Sequence, residues 1–252
     1  MQQRVGLIYQ PCGLGDILFM QKISHFIKAL GYEVYWPVIS EFKWLNNYIK
    51  DFHFISWNDE VNHISAPPLP EEVVFPYKEK YLVETKTEIN ESLFFFQGFI
   101  NVNPIMAGKY NSIDLDWKDW RDYVIFDRNK EKEDELYYDV LNLKDEEEFI
   151  FVNRKYCTRP NIMTFNGLDH IINRSKKRII DMSIIDGFSL FDWCKVLEKA
   201  SEIHMIETSL NYLLESPNLY NKIKTKSLYL YSRQSSFHEV EYLFNLPWNY
   251  IT

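Results

Sequence analysis

The sequence predicts an α/β protein in which parallel strands alternate with helices, arranged as two doubly wound halves. Three observations lead there. An apolar run over 5–9 opens onto a glycine-containing bend, then onto apolar residues spaced three and four apart, the mark of a helix with one buried face. The same succession of strand, loop and helix restarts near residue 148. Just before the restart lies a dense run of charge, "NKEKEDELYYDVLNLKDEEE", where the apolar pattern thins out.

Residues 4–10 form the first predicted strand. Ile17, Met20, Ile23, Ile27 and Leu30 line one side of a helix over 16–30, and Gly31 stands where a left-handed C-terminal cap is wanted. Residues 33–38 then give a second strand, a parallel neighbour of the first through a right-handed crossover. A helix over 41–49 and a strand over 52–56 follow. Ala66-Pro67-Pro68-Leu69-Pro70 is expected to be a stiff turn or surface loop, too short for an interdomain linker. Strands are predicted at 73–75, 93–96 and 124–126, with aromatic loops between them. The charged run starts as a helix with Leu136, Val140 and Leu143 on one side and its charges in solvent.

In the second series, 148–152, 178–182, 202–206 and 227–231 are predicted strands. A helix over 189–200 takes Ser189 as N-cap, a short helix covers 208–215, and 236–244 is the last helix. The predicted division is therefore 1–145 and 146–252, two Rossmann-like halves facing a cleft, with ligands beyond the carboxyl ends of the strands.

Composition narrows the function. The 252 residues are 46% hydrophobic and 25% charged, enough for a substantial core and too apolar for disorder. A net charge of −8 argues against a broad electrostatic footprint on duplex nucleic acid. Aromatic residues make up 17%, which serves core volume and sugar or base stacking alike. Cys12, Cys157 and Cys194 are odd in number and far apart, so a reducing compartment is expected rather than a disulfide framework. No leader and no apolar run of membrane-spanning length is visible, which predicts a cytoplasmic protein without stable membrane insertion.

Gly13-Leu14-Gly15-Asp16 is neither the dinucleotide fingerprint, whose third small residue is replaced by Leu18, nor a Walker loop. Asp16 has two accounts. A carboxylate in the first turn of a helix gains about 0.3–1 kcal/mol from the dipole, a sufficient structural reason for it. It also fills the place an anionic phosphate would take, which leaves it free to face an uncharged hydroxyl. Asp114-Leu115-Asp116 is a D-x-D; two carboxylates on one face of a strand could hold a divalent ion on a diphosphate. The six histidines lack zinc-ligand spacing, and His204, inside a predicted strand, is expected to be packed.

"GLGDILFMQKISHFIKALGYEVYWPV" resembles the opening of GT-B glycosyltransferases of the ADP-heptose:lipopolysaccharide heptosyltransferase family: strand, small-residue loop ending Gly-Asp, helix, then a Lys-x-x-Gly turn, here Lys28 and Gly31, into strand two. "IHMIETSLNYLLE" resembles that family's late motif, an acid-Thr-Gly bend followed by Leu-x-His-Leu. Glu207, Thr208, Leu210 and Leu213 match it; Ser209 stands for the Gly and Tyr212 for the His. Tyr can donate a hydrogen bond but carries no positive charge at neutral pH.

The resemblance implies a sugar moved from a nucleotide-sugar to an acceptor hydroxyl by a single inverting displacement without a metal. Asp16 is then the base, with Gly13 and Gly15 among the ligand-binding positions beside it. Glu207, Thr208, Ser209 and Tyr212 hold the donor. In "FVNRKYCTRP", Asn153, Arg154 and Lys155 fall where the family places polar and basic contacts to the diphosphate. In "IDGFSLFDW", Asp186 and Gly187 fall at the cleft rim, with Phe188 or Trp193 available to stack on a base or to fill the core. No cofactor is implied beyond the nucleotide-sugar as substrate. The acceptor is a glycan or another hydroxyl-bearing molecule, and a base in nucleic acid is disfavoured by charge without being ruled out. Two rivals stand beside this reading: a metal-dependent transferase using the D-x-D, and a non-catalytic nucleotide- or sugar-binding module on the same fold.

Overall fold

The computed structural model describes residues 4–56, 88–89, 93–98, 105–158, 161–174, 176–233 and 241–252. The chain divides into two units, the first ending at Asp127 and the second starting at Arg128.

In the first unit β1 (Val5–Tyr9) is buried from Gly6 onward, as its unbroken apolar run requires of a strand covered on both faces. The predicted first helix is split into α1 (Leu14–Phe19) and α2 (Gln21–Ala29) at Met20. Ser24 Oγ reaches back to the Met20 carbonyl at 3.5 Å, the kind of side-chain bond that bends a helix. Ile17, Met20, Ile23 and Ile27 are fully buried, as their spacing demands. Gly31 ends the helix at φ 87°, and Arg4 Nη1 donates to the Leu30 carbonyl at 2.7 Å.

β2 (Glu33–Val38) follows. The predicted helix over 41–49 is a 3-10 turn, Ser40–Asn47. Asn46 at its end clamps both backbone groups of Phe54, accepting from its N–H at 3.0 Å and donating to its carbonyl at 2.6 Å, so the turn sets the start of β3 (His53–Ser56). β4 (Glu88–Ile89), β5 (Leu93–Gln97) and α3 (Ile105–Asn111) complete the regular elements described. The sheet order is β3-β2-β1-β5-β4, parallel except for β4 at the edge. Residues 124–126, predicted as a strand, are irregular; Val124 and Phe126 are buried, but the backbone pairs with no strand. The predicted turn at 66–70 and strand at 73–75 lie outside the described residues.

The second unit begins earlier than the sequence division at 145. The charged run forms α4 (Lys130–Asp134) and a π-helical turn, Glu135–Val140, and it is not simply a solvated face. Glu133 is fully buried and takes both Nε (2.6 Å) and Nη2 of Arg128, while Arg128 Nη1 reaches Glu198 on α6 (Cys194–Lys199). Lys195 on the same helix pairs with Asp134 at 2.6 Å. These ions attach the run to the second sheet and place the boundary before it. The wider π turn rotates Val140 outward, 44% exposed, and buries Tyr137 in its stead.

β6 (Phe149–Asn153), entirely buried, leads into an antiparallel hairpin, β7 (Lys155–Thr158) and β8 (Asn161–Thr164), and then α5 (Asp169–Arg174). β9 (Arg178–Asp181), β10 (Glu202–Ile206), β11 (Ser227–Tyr231) and β12 (Trp248–Ile251) are all parallel to their neighbours in the order β12-β11-β10-β6-β9. The helix predicted over 189–200 starts with a 3-10 turn, Leu190–Trp193. Ser189 caps it: its N–H (2.7 Å) and hydroxyl (2.9 Å) both donate to Asp192. α7 (Ser209–Leu214) and α8 (Tyr220–Ile223) lie between β10 and β11. The predicted last helix is, where described, only a short 3-10 turn at Glu241–Leu243, and β12 comes after it unforeseen.

Candidate functional site

In open α/β sheets ligands collect beyond the carboxyl ends of strands at the point where the winding reverses. In the first sheet that point lies between β1 and β5. Gln10 directly follows β1, and Gly98 directly follows β5. Lys109 of α3 joins them: its Nζ donates to Gln10 Oε1 at 2.8 Å and to the Gly98 carbonyl at 2.7 Å. The same nitrogen pairs with Asp16 Oδ1 at 2.8 Å, with the lysine side chain 3% exposed and the aspartate 30%. Gln10 in turn donates to the Cys12 carbonyl at 2.7 Å, which holds the bend between strand and helix.

Asp16 therefore stands in the first turn of α1 without acting as its N-cap. That place belongs to Gly13, whose φ is 80°. A Cβ on Gly13 would collide with Asp16 Oδ2, so the glycine is required both by its backbone angle and by the carboxylate lying over it. Gly15 sits inside the first turn. The sequence points to Asp16 and gives no sign of its partner Lys109, because α3 lies in a stretch read as aromatic loops.

The second sheet reverses between β6 and β10. Asn153, last in β6 and 5% exposed, donates from Nδ2 to Thr208 Oγ1 at 3.0 Å. Thr208 caps α7: its Oγ1 accepts from the Leu210 N–H at 3.3 Å, and its own N–H donates to Asn211 Oδ1 at 2.8 Å. Glu207 and Ser209 flank it, each half-buried. This reproduces the strand-to-helix bend expected over residues 206–209.

The basic cluster is more constrained than the sequence implied. Arg154 Nε donates to Asp181 Oδ2 at 2.8 Å and Nη1 to Asp169 Oδ1 at 2.7 Å, so two carboxylates already balance its charge. Its Nη2 makes no hydrogen bond among the described residues. Lys155, half-buried on β7, has no ion pair among them either. Tyr212 is 8% exposed, its ring packed edge-on against Phe244 with centroids 5.2 Å apart, which sets the ring in the core. Asp186 and Gly187 form an exposed turn with Gly187 at φ 84°. Phe188 beside them lies beneath Lys132 Nζ, and Trp193 is buried against Phe151, a core role.

Asp114 and Asp116 do not share a strand face. They occupy the turn after α3, with Asp114 at φ 54° and Asp116 Oδ1 accepting from the Lys118 N–H at 3.2 Å. Among the described residues no group of three or more His, Cys, Asp and Glu is placed to hold a metal ion. His204 is packed as expected, stacked on Tyr229 at 4.3 Å with Nδ1 3.1 Å from the Tyr231 hydroxyl; burial pushes its pKa below the usual histidine value. No helix among the described residues is long and apolar enough to cross a membrane.

Each unit, with its largely parallel sheet and polar side chains gathered at its switch point, defines the class: a mixed α/β fold. No family model matches the sequence, and no curated protein matches it. Solved structures do. A protein described as the glycosyl transferase family 9 from Veillonella parvula DSM 2008 matches with a TM-score of 0.52 and 9% identity, over 99% of this chain and 86% of that one. The iron-containing dodecameric glycosyltransferase TibC from enterotoxigenic E. coli H10407 matches with a TM-score of 0.47 and 12% identity, over 100% of this chain and 63% of that one. The Veillonella structure is a likeness of fold, and it agrees with the fold that the two sequence motifs implied.

Proposed function

We propose that the protein is a glycosyltransferase that moves a sugar from a nucleotide-sugar to an acceptor hydroxyl with inversion and without a metal ion. The observation that carries this reading is the Asp16 carboxylate, held by Lys109 at the switch point of the first sheet with Oδ2 making no hydrogen bond among the described residues. A fixed, partly exposed carboxylate is what a hydroxyl nucleophile needs from a general base. In the proposed step Asp16 takes the hydroxyl proton as the acceptor oxygen bonds to the anomeric carbon. The bond from that carbon to the phosphate oxygen breaks, and its electron pair leaves with the nucleoside diphosphate.

The second unit serves as the donor side. Asn153, Thr208 and Ser209 supply polar contacts at its switch point, while Lys155 and Arg154 Nη2 supply donors to the departing phosphates. The fold likeness to a family 9 glycosyltransferase supports the assignment. Asp16 then acts in the first-turn position that the helix dipole also favours, so its electrostatic and chemical roles coexist.

The test is a panel of UDP-, GDP-, ADP- and CMP-sugars, scored by thermal shift and by nucleotide released. One nucleotide should stabilise the protein and its sugar conjugate should turn over. Asp16→Asn should lower turnover by about 100-fold or more while leaving the nucleotide shift in place. Stabilisation without turnover would instead identify a non-catalytic binding module. Loss of turnover with a chelator and with Asp114→Ala would establish metal dependence.

A further inference from the structure

We infer that Lys109 is the positioning residue of the proposed base, and that it determines which carboxylate oxygen of Asp16 meets the acceptor. The inference rests on the glycosyltransferase reading. An ammonium has three hydrogens to donate. Two of them go to Gln10 Oε1 at 2.8 Å and the Gly98 carbonyl at 2.7 Å, and the charge pairs with Asp16 Oδ1 at 2.8 Å. Lys109 is 2% exposed and Gln10 2%, so the arrangement is buried. Asp16 is the carboxylate paired with this ammonium. Enclosed by these three oxygens, Lys109 serves as a fixed charge beside Asp16 rather than as a nucleophile.

Its effect is geometric. Gln10 and Gly98 stand at the ends of the two adjacent strands β1 and β5, and the lysine ties Asp16 to both. The carboxylate cannot turn about its terminal torsion without giving up the ion pair. Oδ1 is thereby anchored and Oδ2 is left over Gly13, the residue with no side chain to cover it. A group fixed by a buried partner meets its substrate already oriented, which is where much of the advantage of a bound base over a dissolved one originates.

The experiment is a double-mutant cycle on donor hydrolysis, with water as acceptor and the nucleotide-sugar found by the panel as substrate. Lys109→Met should lower kcat by about 100-fold with donor KM changed by less than about threefold, because the donor contacts lie in the other unit. In an Asp16→Asn background the same substitution should change kcat by less than about twofold, since a residue that acts through Asp16 has nothing left to position. Lys109→Arg guards against a folding failure. It keeps a cation in the core, yet its planar fork cannot serve the same three acceptors, so it should give a smaller loss of kcat that again vanishes on the Asp16→Asn background. A Lys109→Met enzyme within about threefold of wild type, or losses that multiply instead of merging, overturn this inference and leave the proposed function standing. Wild type that binds nucleotide and releases none from any conjugate overturns the function and this inference with it.

Discussion

Asn153 Nδ2 donates to Thr208 Oγ1 across 3.0 Å and so joins the ends of β6 and β10, the adjacent strands between which the second sheet reverses its winding. Thr208 Oγ1 accepts from the Leu210 N–H as well, so the contact ties a strand end to the capping box of α7. Asn153→Asp tests the donor side without dismantling it. The threonine hydroxyl can turn and donate to the new carboxylate, so the melting temperature should hold within a few degrees, about the effect of 1 kcal/mol. The added negative charge should abolish nucleotide-induced stabilisation. An unaltered nucleotide shift in this variant would put the phosphates elsewhere.

The Arg128–Glu133–Glu198 group should matter to stability out of proportion to its size. Glu133 is fully buried and bidentate to Arg128, and Lys222 adds a bond to Glu198 at 2.6 Å. Burial pushes the Glu198 carboxyl up, but the hydrogen bonds from Arg128 and Lys222 outweigh it and hold the group below its usual value. Glu133→Ala leaves a guanidinium buried without its main partner and should cost about 3–5 kcal/mol in a denaturant melt. The exposed pair Lys28–Asp51, 2.5 Å apart, gives the contrast: Lys28→Ala should cost no more than about 1 kcal/mol and become neutral at high salt.

What could be read from the sequence followed local chemistry. Gly31 and Thr208 announce helix ends because caps are made by residues adjacent in the chain. The strands flanking them are apolar runs whose burial is written in their composition. Lys109, β12 and the start of the second unit were not legible, for one shared reason. Lys109 is a lysine in a short helix, and only the fold brings Asp16 and Gln10 to it. Trp248–Ile251 carries no predicted element, and its pairing with β11 makes it a strand. The charges of 130–135 look solvated until Arg128 and Glu198 are known to meet Glu133. Arg154 shows the same dependence on the fold: its pairing with Asp169 and Asp181 through Nη1 and Nε could not be read from the sequence.

Two histidines, the buried His204 and the half-buried His25, make stability depend on pH. Burial lowers the pKa of His25 and of His204 from the ordinary value of 6.5. In the unfolded chain each binds a proton near 6.5, while in the fold each stays neutral to lower pH. Below that value the unfolded state therefore holds more protons, and stability falls as the pH drops from about 7 toward the folded values. His204→Phe keeps an aromatic ring on Tyr229 and removes the titration, so urea melts between pH 7.5 and pH 5.5 should lose less stability in the variant than in wild type. Equal losses in the two proteins would assign the dependence to other groups. Carboxylates such as Asp51 and Glu198, held low by their cations, give up stability only at more acidic pH, so the two effects separate on the pH axis.

Gly13 and Gly31 share a left-handed backbone, at φ 80° and 87°, and differ in what faces the missing side chain. At Gly31 a Cβ would meet only Arg4 Nη1, the end of a flexible side chain, at 3.1 Å. At Gly13 it would collide with Asp16 Oδ2. Alanine at either position should therefore cost about 1–2 kcal/mol from the left-handed conformation, and at Gly13 more, because the displaced carboxylate leaves the buried Lys109. Turnover should separate them. Gly31→Ala should keep the wild-type rate. Gly13→Ala pushes the carboxylate off the place where Lys109 holds it, and should lower kcat by about tenfold or more, since displacements near 1 Å at a reacting group have effects of that order. Rates that diverge while both variants remain folded at the assay temperature would show that Gly13 serves the Asp16 carboxylate as well as the turn; matching rates would reduce it to a turn residue.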